Sequence, residues 1–193
     1  MNRMVLVRHG ETVGESSIRY YGSTDVALSD EGREQMKCAR KLLPDQGFDL
    51  VVASPLQRSW EASRILFPGK PVHIEAGLRE VDFGDWEGLT AEEIEQRDPP
   101  GYRHWQERTD DFAFPGGERR AAFRGRVECA LAGIEALGRG SIVGALHHGV
   151  IRVVTETLTG EPWQGGPLAL AHGVLLRRMP DGRWTRRDLV PER

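Results

Sequence analysis

The 193-residue sequence predicts an α/β fold. The expected form is a three-layer α/β/α arrangement with a mainly parallel central sheet, an antiparallel edge strand and a short lid-like insertion. Three observations predict it. Short β-branched and aliphatic runs alternate with segments whose apolar residues recur at helical spacing, the pattern of a parallel sheet covered on both faces. Several of those runs stop abruptly in polar residues, as strands do where they reach a ligand at their carboxyl ends. Near the C-terminus two strand-like runs flank Pro180-Asp181-Gly182, a hairpin signal.

Residues 4–8 read as the first strand, which runs into Arg8-His9-Gly10. Residues 11–28 read as a long polar loop, and unstructured loops of that length tend to be functional. Ser29 is a candidate N-cap, Leu28, Gly32, Met36, Ala39 and Leu43 recur at helical spacing, and Pro44 should stop that helix. Phe48 to Ala53 is a second buried strand. Ser54-Pro55 should open the next helix, with Ser as N-cap and Pro in its first position. That helix carries Leu56, Trp60, Ile65 and Leu66, with Arg58 in its first turn, and Pro68-Gly69 ends it.

Val72 to Ile74 is a short strand, and Leu78 to Gly88 a structured loop holding Glu80, Asp82, Phe83, Trp86 and Glu87. Thr90-Ala91-Glu92-Glu93 is a capping box that starts a helix. Asp98 to Gly117 is expected to be irregular, and residues 89–117 together to be a lid or insertion on a single domain spanning 1–193. An aromatic-anchored surface loop is the alternative for that segment. From Glu118 a long helix follows, its stripe of Phe123, Val127, Leu131, Ile134 and Leu137 facing the core. Ser141 to Leu146 is a buried strand ending in His147-His148-Gly149, and Val150 to Leu158 is the helix after it. Gly173 to Met179 and Arg183 to Val190 form the hairpin.

Composition limits the partners. Hydrophobic residues make up 39% of the chain and charged ones 28%, enough for a sizeable core. Net charge is -3 with both signs interspersed, and no polybasic patch points to nucleic acid or to an anionic membrane. No apolar run approaches membrane-spanning length, and none resembles a signal peptide. Cys38 and Cys129 form no Cys-x-x-Cys unit and read as free thiols of a reducing compartment. The expected location is cytoplasmic.

Four polar clusters follow predicted strands: Arg8-His9, Arg58, Glu80 and His147. Two His, two Arg and one carboxylate at one sheet edge would suit phosphoryl transfer. That reaction needs a nucleophile, cations for the equatorial oxygens and an acid for the leaving oxygen. This set supplies them without a metal. Asp82 rivals Glu80 as the acid, since both sit on one loop. His73, His104 and His172 match no pattern and read as surface or satisfied structural residues.

Arg8-His9-Gly10-Glu11-Thr12 resembles the signature of the histidine phosphatase superfamily, which includes cofactor-dependent phosphoglycerate mutases. The resemblance continues through Arg19-Tyr20-Tyr21-Gly22, Asp25-x-x-Leu28-Ser29-x-x-Gly32 and Ser54-Pro55-Leu56-Gln57-Arg58. Leu78-Arg79-Glu80-x-x-Phe83-Gly84-x-Trp86-Glu87-Gly88, Pro115-Gly116-Gly117-Glu118 and His147-x-Gly149-x-x-Arg152 complete it, in order, over nearly the whole chain.

The resemblance implies roles. His9 would be the nucleophile that becomes phosphohistidine. Arg8, Arg58 and His147 would clamp the phosphoryl oxygens. Glu80 would protonate the leaving oxygen and then activate water. Arg19, Tyr21 and Gly22 would contact substrate, with no metal and no cofactor; the pattern selects His147 and leaves His148, where a Gly is common, to a buried helper or substrate-contacting role. In one place the sequence departs from the family: where many members carry Asn to donate to phosphate, it has Glu15. A carboxylate there would repel a dianion, so Glu15 is expected to face the leaving group.

A phosphatase acting on a small phosphomonoester is the leading expectation. The insertion lacks the adjacent Arg-Arg plus Lys set of a phosphoglycerate mutase, since Arg119-Arg120 falls at the start of the long helix. The Phe83-to-Gly88 loop resembles the phosphatase branch, including α-ribazole phosphatases, and Tyr20, Tyr21, Tyr102 and Trp105 could line an aromatic-tolerant leaving-group site. A mutase-type transferase and a non-catalytic phospho-ligand binding protein are the alternatives. A metallophosphatase would need more than His147-His148, and the P-loop run is missing. Family members are often dimers, but no motif argues an interface.

Overall fold

The protein is described by a computed structural model over residues 1–43, 47–107 and 109–190. Its strands are β1 (Arg3–Arg8), β2 (Leu50–Ala53), β3 (Val72–Ile74), β4 (Ser141–Leu146), β5 (Gly173–Arg178) and β6 (Trp184–Leu189). They form one six-stranded sheet in the order β3-β2-β4-β1-β5-β6. β3, β2, β4 and β1 run parallel, and the expected hairpin completes the edge, with β5 antiparallel to β1 and β6 antiparallel to β5.

The alternation of side chains along the strands sorts the core into two layers. Met4 and Leu6 of β1 pack with Ile142, Val174 and Leu176 on one face. There they meet the stripes of helix α5 (Arg120–Ala136) and helix α6 (His148–Thr159). Val5 and Val7 point the other way, with Val51, Val143 and Leu175, onto helix α1 (Asp30–Ala39) and helix α2 (Gln57–Leu66). β4, between β1 and β2, is buried throughout, as a strand covered on both faces must be. Among the described residues no helix is long and apolar enough to cross a membrane.

Local chemistry explains most boundaries. Ser29 caps α1 by accepting the Gly32 N–H. The helix ends at Ala39 and tightens into a 3-10 turn over Arg40–Leu42; the expected stop at Pro44 lies outside the described residues. Thr90 and Glu93 form the expected capping box of helix α3 (Ala91–Arg97).

Other boundaries differ from the expectations. α2 begins at Gln57, not at Ser54-Pro55. Its first N–H is satisfied from a distance by Asp25 Oδ1, at 2.7 Å. The face of α2 on the sheet is Ser59, Ala62, Ser63 and Leu66, while Trp60 and Ile65 lie half-buried at its flanks. Small side chains let the helix sit close: Ser59 Oγ donates to the Ala145 carbonyl, and Ser63 Oγ accepts the Ala145 N–H.

The 98–117 stretch contains a helix, α4 (Pro99–Gln106), where an irregular segment is expected. Asp98 caps it by accepting the Gly101 N–H. Pro99 and Pro100 occupy first-turn positions, where a missing N–H costs nothing. α5 and α6 start at Arg120 and His148 rather than at 118 and 150.

Candidate active site

Three adjacent parallel strands deliver the polar residues to one edge. β1 ends at Arg8 opposite Leu146 of β4, and Ala53 of β2 stands opposite Ala145. His9, His147 and Ser54 therefore emerge side by side. The His9 and His147 rings meet edge to face, with centroids 5.3 Å apart. Gly10 follows directly and lets the chain pass close to the backbone of Gly32 in α1, where a Cβ would strike it.

Hydrogen bonds set the state of each ring. His9 Nδ1 lies 2.8 Å from the carbonyl oxygen of Gly10, which can only accept. Nδ1 therefore carries the proton, and Nε2 keeps its lone pair. Burial pushes the His9 imidazole well below its ordinary pKa, the charges of Arg58 and Arg8 push the same way, and the Gly10 contact opposes them weakly. His147 is likewise held neutral, first by burial and then by Arg58, His9 and Arg8. Its Nε2 lies 2.7 Å from Ser54 Oγ, and its buried Nδ1 has no hydrogen-bond partner among the described residues.

Arg58 is fully buried. Its Nη1 donates to the Thr24 carbonyl at 2.8 Å, and its Nη2 to those of Tyr21 and Gly22 at 3.1 and 2.7 Å. Its buried Nε has no hydrogen-bond partner among the described residues. Arg8 donates to the carbonyls of Leu168 and Ser16. Desolvation lowers the pKa of both guanidinium groups, and Glu80 is the leading carboxylate that counters it.

Glu80 is buried with both oxygens occupied: Oε1 accepts the Val81 N–H at 3.0 Å and Oε2 the Gly149 N–H at 2.9 Å, at the start of α6. Gly149 is needed because a Cβ there would run into Glu80 Oε1. Arg126 of α5 pins the loop from behind, donating to the carbonyls of Gly77, Arg79 and Glu80 while paired with Glu118. Asp82 is occupied elsewhere, since its Oδ1 accepts from Ser23 Oγ and from the Gly84 N–H.

Arg8, His9 and Glu80 open into a cavity of about 460 Å³. Ser16, Arg19, Tyr21, His148 and Arg152 line it as well. Tyr102 and Trp105 of α4 form its far wall, inside an aromatic cluster that includes Tyr20, Phe83 and Phe114. Arg120 fastens that wall by donating to the carbonyls of Trp105 and Thr109. A more open hollow of about 570 Å³, lined by Arg3, Asp49 and Arg178, lies at the opposite end of the strands, away from His9.

Two expected contact residues are placed differently. Glu15 does not line the cavity; it has a left-handed backbone, and its carboxylate, 67% exposed, pairs with Arg19 at 3.6 Å. Gly22 is also outside the lining, and it serves the loop backbone around Arg58. Arg19 reaches the cavity but spends Nη1 on the Gly88 carbonyl and on Glu93. His148 lines it with Nδ1 accepting the Leu168 N–H. His73, His104 and His172 lie outside the cavity lining, beside Glu75, Thr109 and the Leu170 carbonyl respectively. Ser54, Asp25 and Glu87 lie in quoted motifs without a role at the site being read from them, and Arg126 is not singled out by sequence pattern; all four support the site.

The chain resembles proteins of known name over most of its length. A phosphoserine phosphatase of Hydrogenobacter thermophilus is 32% identical over 130 residues, 66% of this chain and 62% of that protein. An adenosylcobalamin/alpha-ribazole phosphatase of Escherichia coli is 30% identical over 190 residues, 97% of this chain and 90% of that one. The native structure of a mycobacterial glucosyl-3-phosphoglycerate phosphatase superposes with a TM-score of 0.82 at 27% identity, covering 100% of this chain and 99% of that chain. Residues 4–183 match the family model, and the chain belongs to the histidine phosphatase superfamily, branch 1.

Proposed function

We propose that the protein hydrolyses a small phosphomonoester through a phosphohistidine formed on His9. The observation that carries this reading is the bond from His9 Nδ1 to Gly10 O, which leaves Nε2 with its lone pair on a ring held neutral by burial. His9 Nε2 attacks phosphorus, and the bond to the ester oxygen breaks. Glu80 gives that oxygen its proton. Water then attacks the phosphohistidine, and the Glu80 carboxylate takes a proton from it. The N–P bond breaks, phosphate leaves, and His9 returns to its neutral form.

Charge on the three equatorial oxygens is met by Arg8, by Arg58 through its unpartnered Nε–H, and by His147 through Nδ1. Residues 89–117 act as wall and lid for the leaving group, with Tyr102 and Trp105 on their inner surface. The three relatives named above carry different substrates in their names, so the family does not fix the leaving group for this chain.

The test is turnover of p-nitrophenyl phosphate with labelling by phosphate. His9→Ala should abolish both turnover and acid-labile label. Glu80→Gln should cost about 10²–10⁴-fold on an alkyl phosphate and less on the p-nitrophenyl ester, whose leaving group needs little protonation. Turnover surviving in His9→Ala would overturn the assignment.

A further inference from the structure

Glu87 touches no reacting group in this scheme, yet its carboxylate is the most heavily used acceptor around the site. It receives the backbone N–H groups of Gly22 (3.0 Å), Ser23 (2.9 Å), Thr24 (3.3 Å) and Phe83 (3.0 Å). The Ser23 hydroxyl also reaches it, at 3.4 Å. On the other side of the same loop Arg58 donates to the carbonyls of Tyr21, Gly22 and Thr24.

Two peptide groups are shared between the ions. In the Tyr21–Gly22 peptide the carbonyl faces Arg58 and the N–H faces Glu87. The Gly22–Ser23 peptide repeats the arrangement. Both are trans, so carbonyl and N–H point in opposite directions across one rigid plane. Each dipole therefore has its oxygen on the cation and its hydrogen on the anion. Hydrogen bonds in such a chain polarise one another, most strongly where water is excluded. Gly22 permits this: a Cβ there would strike the Val81 carbonyl and the Glu87 carboxylate.

We propose that Glu87 is a remote counter-ion of Arg58 and a positioning residue for phosphoryl transfer, acting through the two peptide groups that join them. The arrangement balances a buried guanidinium without using its Nε, which keeps a donor with no hydrogen-bond partner among the described residues. A direct Glu–Arg pair would occupy the fork of donors instead. The proposal rests on the reading of Arg58 as part of the phosphoryl clamp.

A double-mutant cycle in the full chain tests it, using Glu87→Gln, Arg58→Ala and the pair. Turnover of p-nitrophenyl phosphate and the dissociation constant of inorganic phosphate are measured, with Tm as the check on folding. In the wild-type background Glu87→Gln should lower kcat/KM about 10- to 100-fold, the usual loss for a partner in the outer shell of a site. Phosphate affinity should fall with it. In the Arg58→Ala background the same change should cost less than about threefold, because coupled residues are not additive. Glu87→Asp keeps the charge and should recover part of the loss; it carries the same cycle if the Gln variant does not fold. Equal losses in both backgrounds, or wild-type turnover and phosphate affinity in Glu87→Gln, would overturn the proposal. Failure of the nucleophile reading shows separately, as turnover surviving His9→Ala.

Discussion

Ser54 Oγ lies 2.7 Å from His147 Nε2, and this bond joins the carboxyl ends of two neighbouring strands. The same hydroxyl accepts the Leu56 N–H at 3.3 Å. Among the described residues its own proton has no acceptor other than the ring, which makes Nε2 the acceptor and places the imidazole hydrogen on Nδ1. A strand-end serine thus sets the tautomer that lets a buried histidine donate.

Ser54→Ala should remove that control and leave Nε2 buried without a partner. Orphaning a buried polar atom costs about 1–3 kcal/mol. The expected result is a lower Tm together with a kcat reduced about 10-fold, as for loss of an outer-shell partner. Steady-state kinetics and thermal unfolding on one preparation decide it. A lowered Tm with kcat unchanged would confine Ser54 to a turn.

Gly149→Ala is expected to act on chemistry more than on binding. The added methyl would meet Glu80 Oε1 and crowd the Phe123 ring, so the carboxyl must shift while the Arg8 and Arg58 clamp stays in place. A misplacement of about 1 Å at a reacting group costs about 10²-fold in rate. kcat should fall by that order, with inorganic phosphate affinity held within about threefold. A loss of phosphate affinity as large as the loss of kcat would contradict this division.

The strands and their polar ends were legible because they depend on short-range pattern. Val5 to Val7 and Ile142 to Leu146 are apolar runs that stop at Arg8-His9 and His147, and the registry of β1 on β4 makes these two histidines neighbours. What local pattern misled on was which partner a polar group would find. Ser54 before Pro55 has the composition of an N-cap, but its hydroxyl bonds a histidine 93 positions away. The N–H it was expected to cap near Gln57 goes to Asp25, 32 positions back. The 98–117 stretch is expected to be irregular, yet Pro99-Pro100 open α4, because proline stops a helix from inside and starts one from its first turn. Glu15 took the place of an amide in a familiar pattern, yet its left-handed backbone sends the carboxylate to Arg19. Glu87 was visible as a loop carboxylate, but its three acceptances from 22–24 are made across 63 to 65 positions, a distance only topology sets.

The two neutral histidines couple stability to pH. Both have a folded-state pKa well below the ordinary value of about 6.5, mainly through burial and then through Arg58. Below that value the unfolded chain takes up protons at these positions and the folded chain does not. Stability therefore rises with pH across this window and is lost on acidification below about 6.5. The limiting slope is about 1.4 kcal/mol per pH unit for each histidine. Thermal unfolding from pH 7.5 to 5.5 in a buffer without phosphate should show Tm falling on the acid side, and His9→Asn should flatten the fall by about one histidine's share. Phosphate must be left out, because an anion bound at the clamp stabilises the folded state by mass action and would hide the slope. The comparison uses slopes rather than absolute Tm, so any constant effect of the substitution cancels. An identical slope in wild type and His9→Asn would mean that His9 titrates alike in both states, and the neutral nucleophile would lose its physical basis.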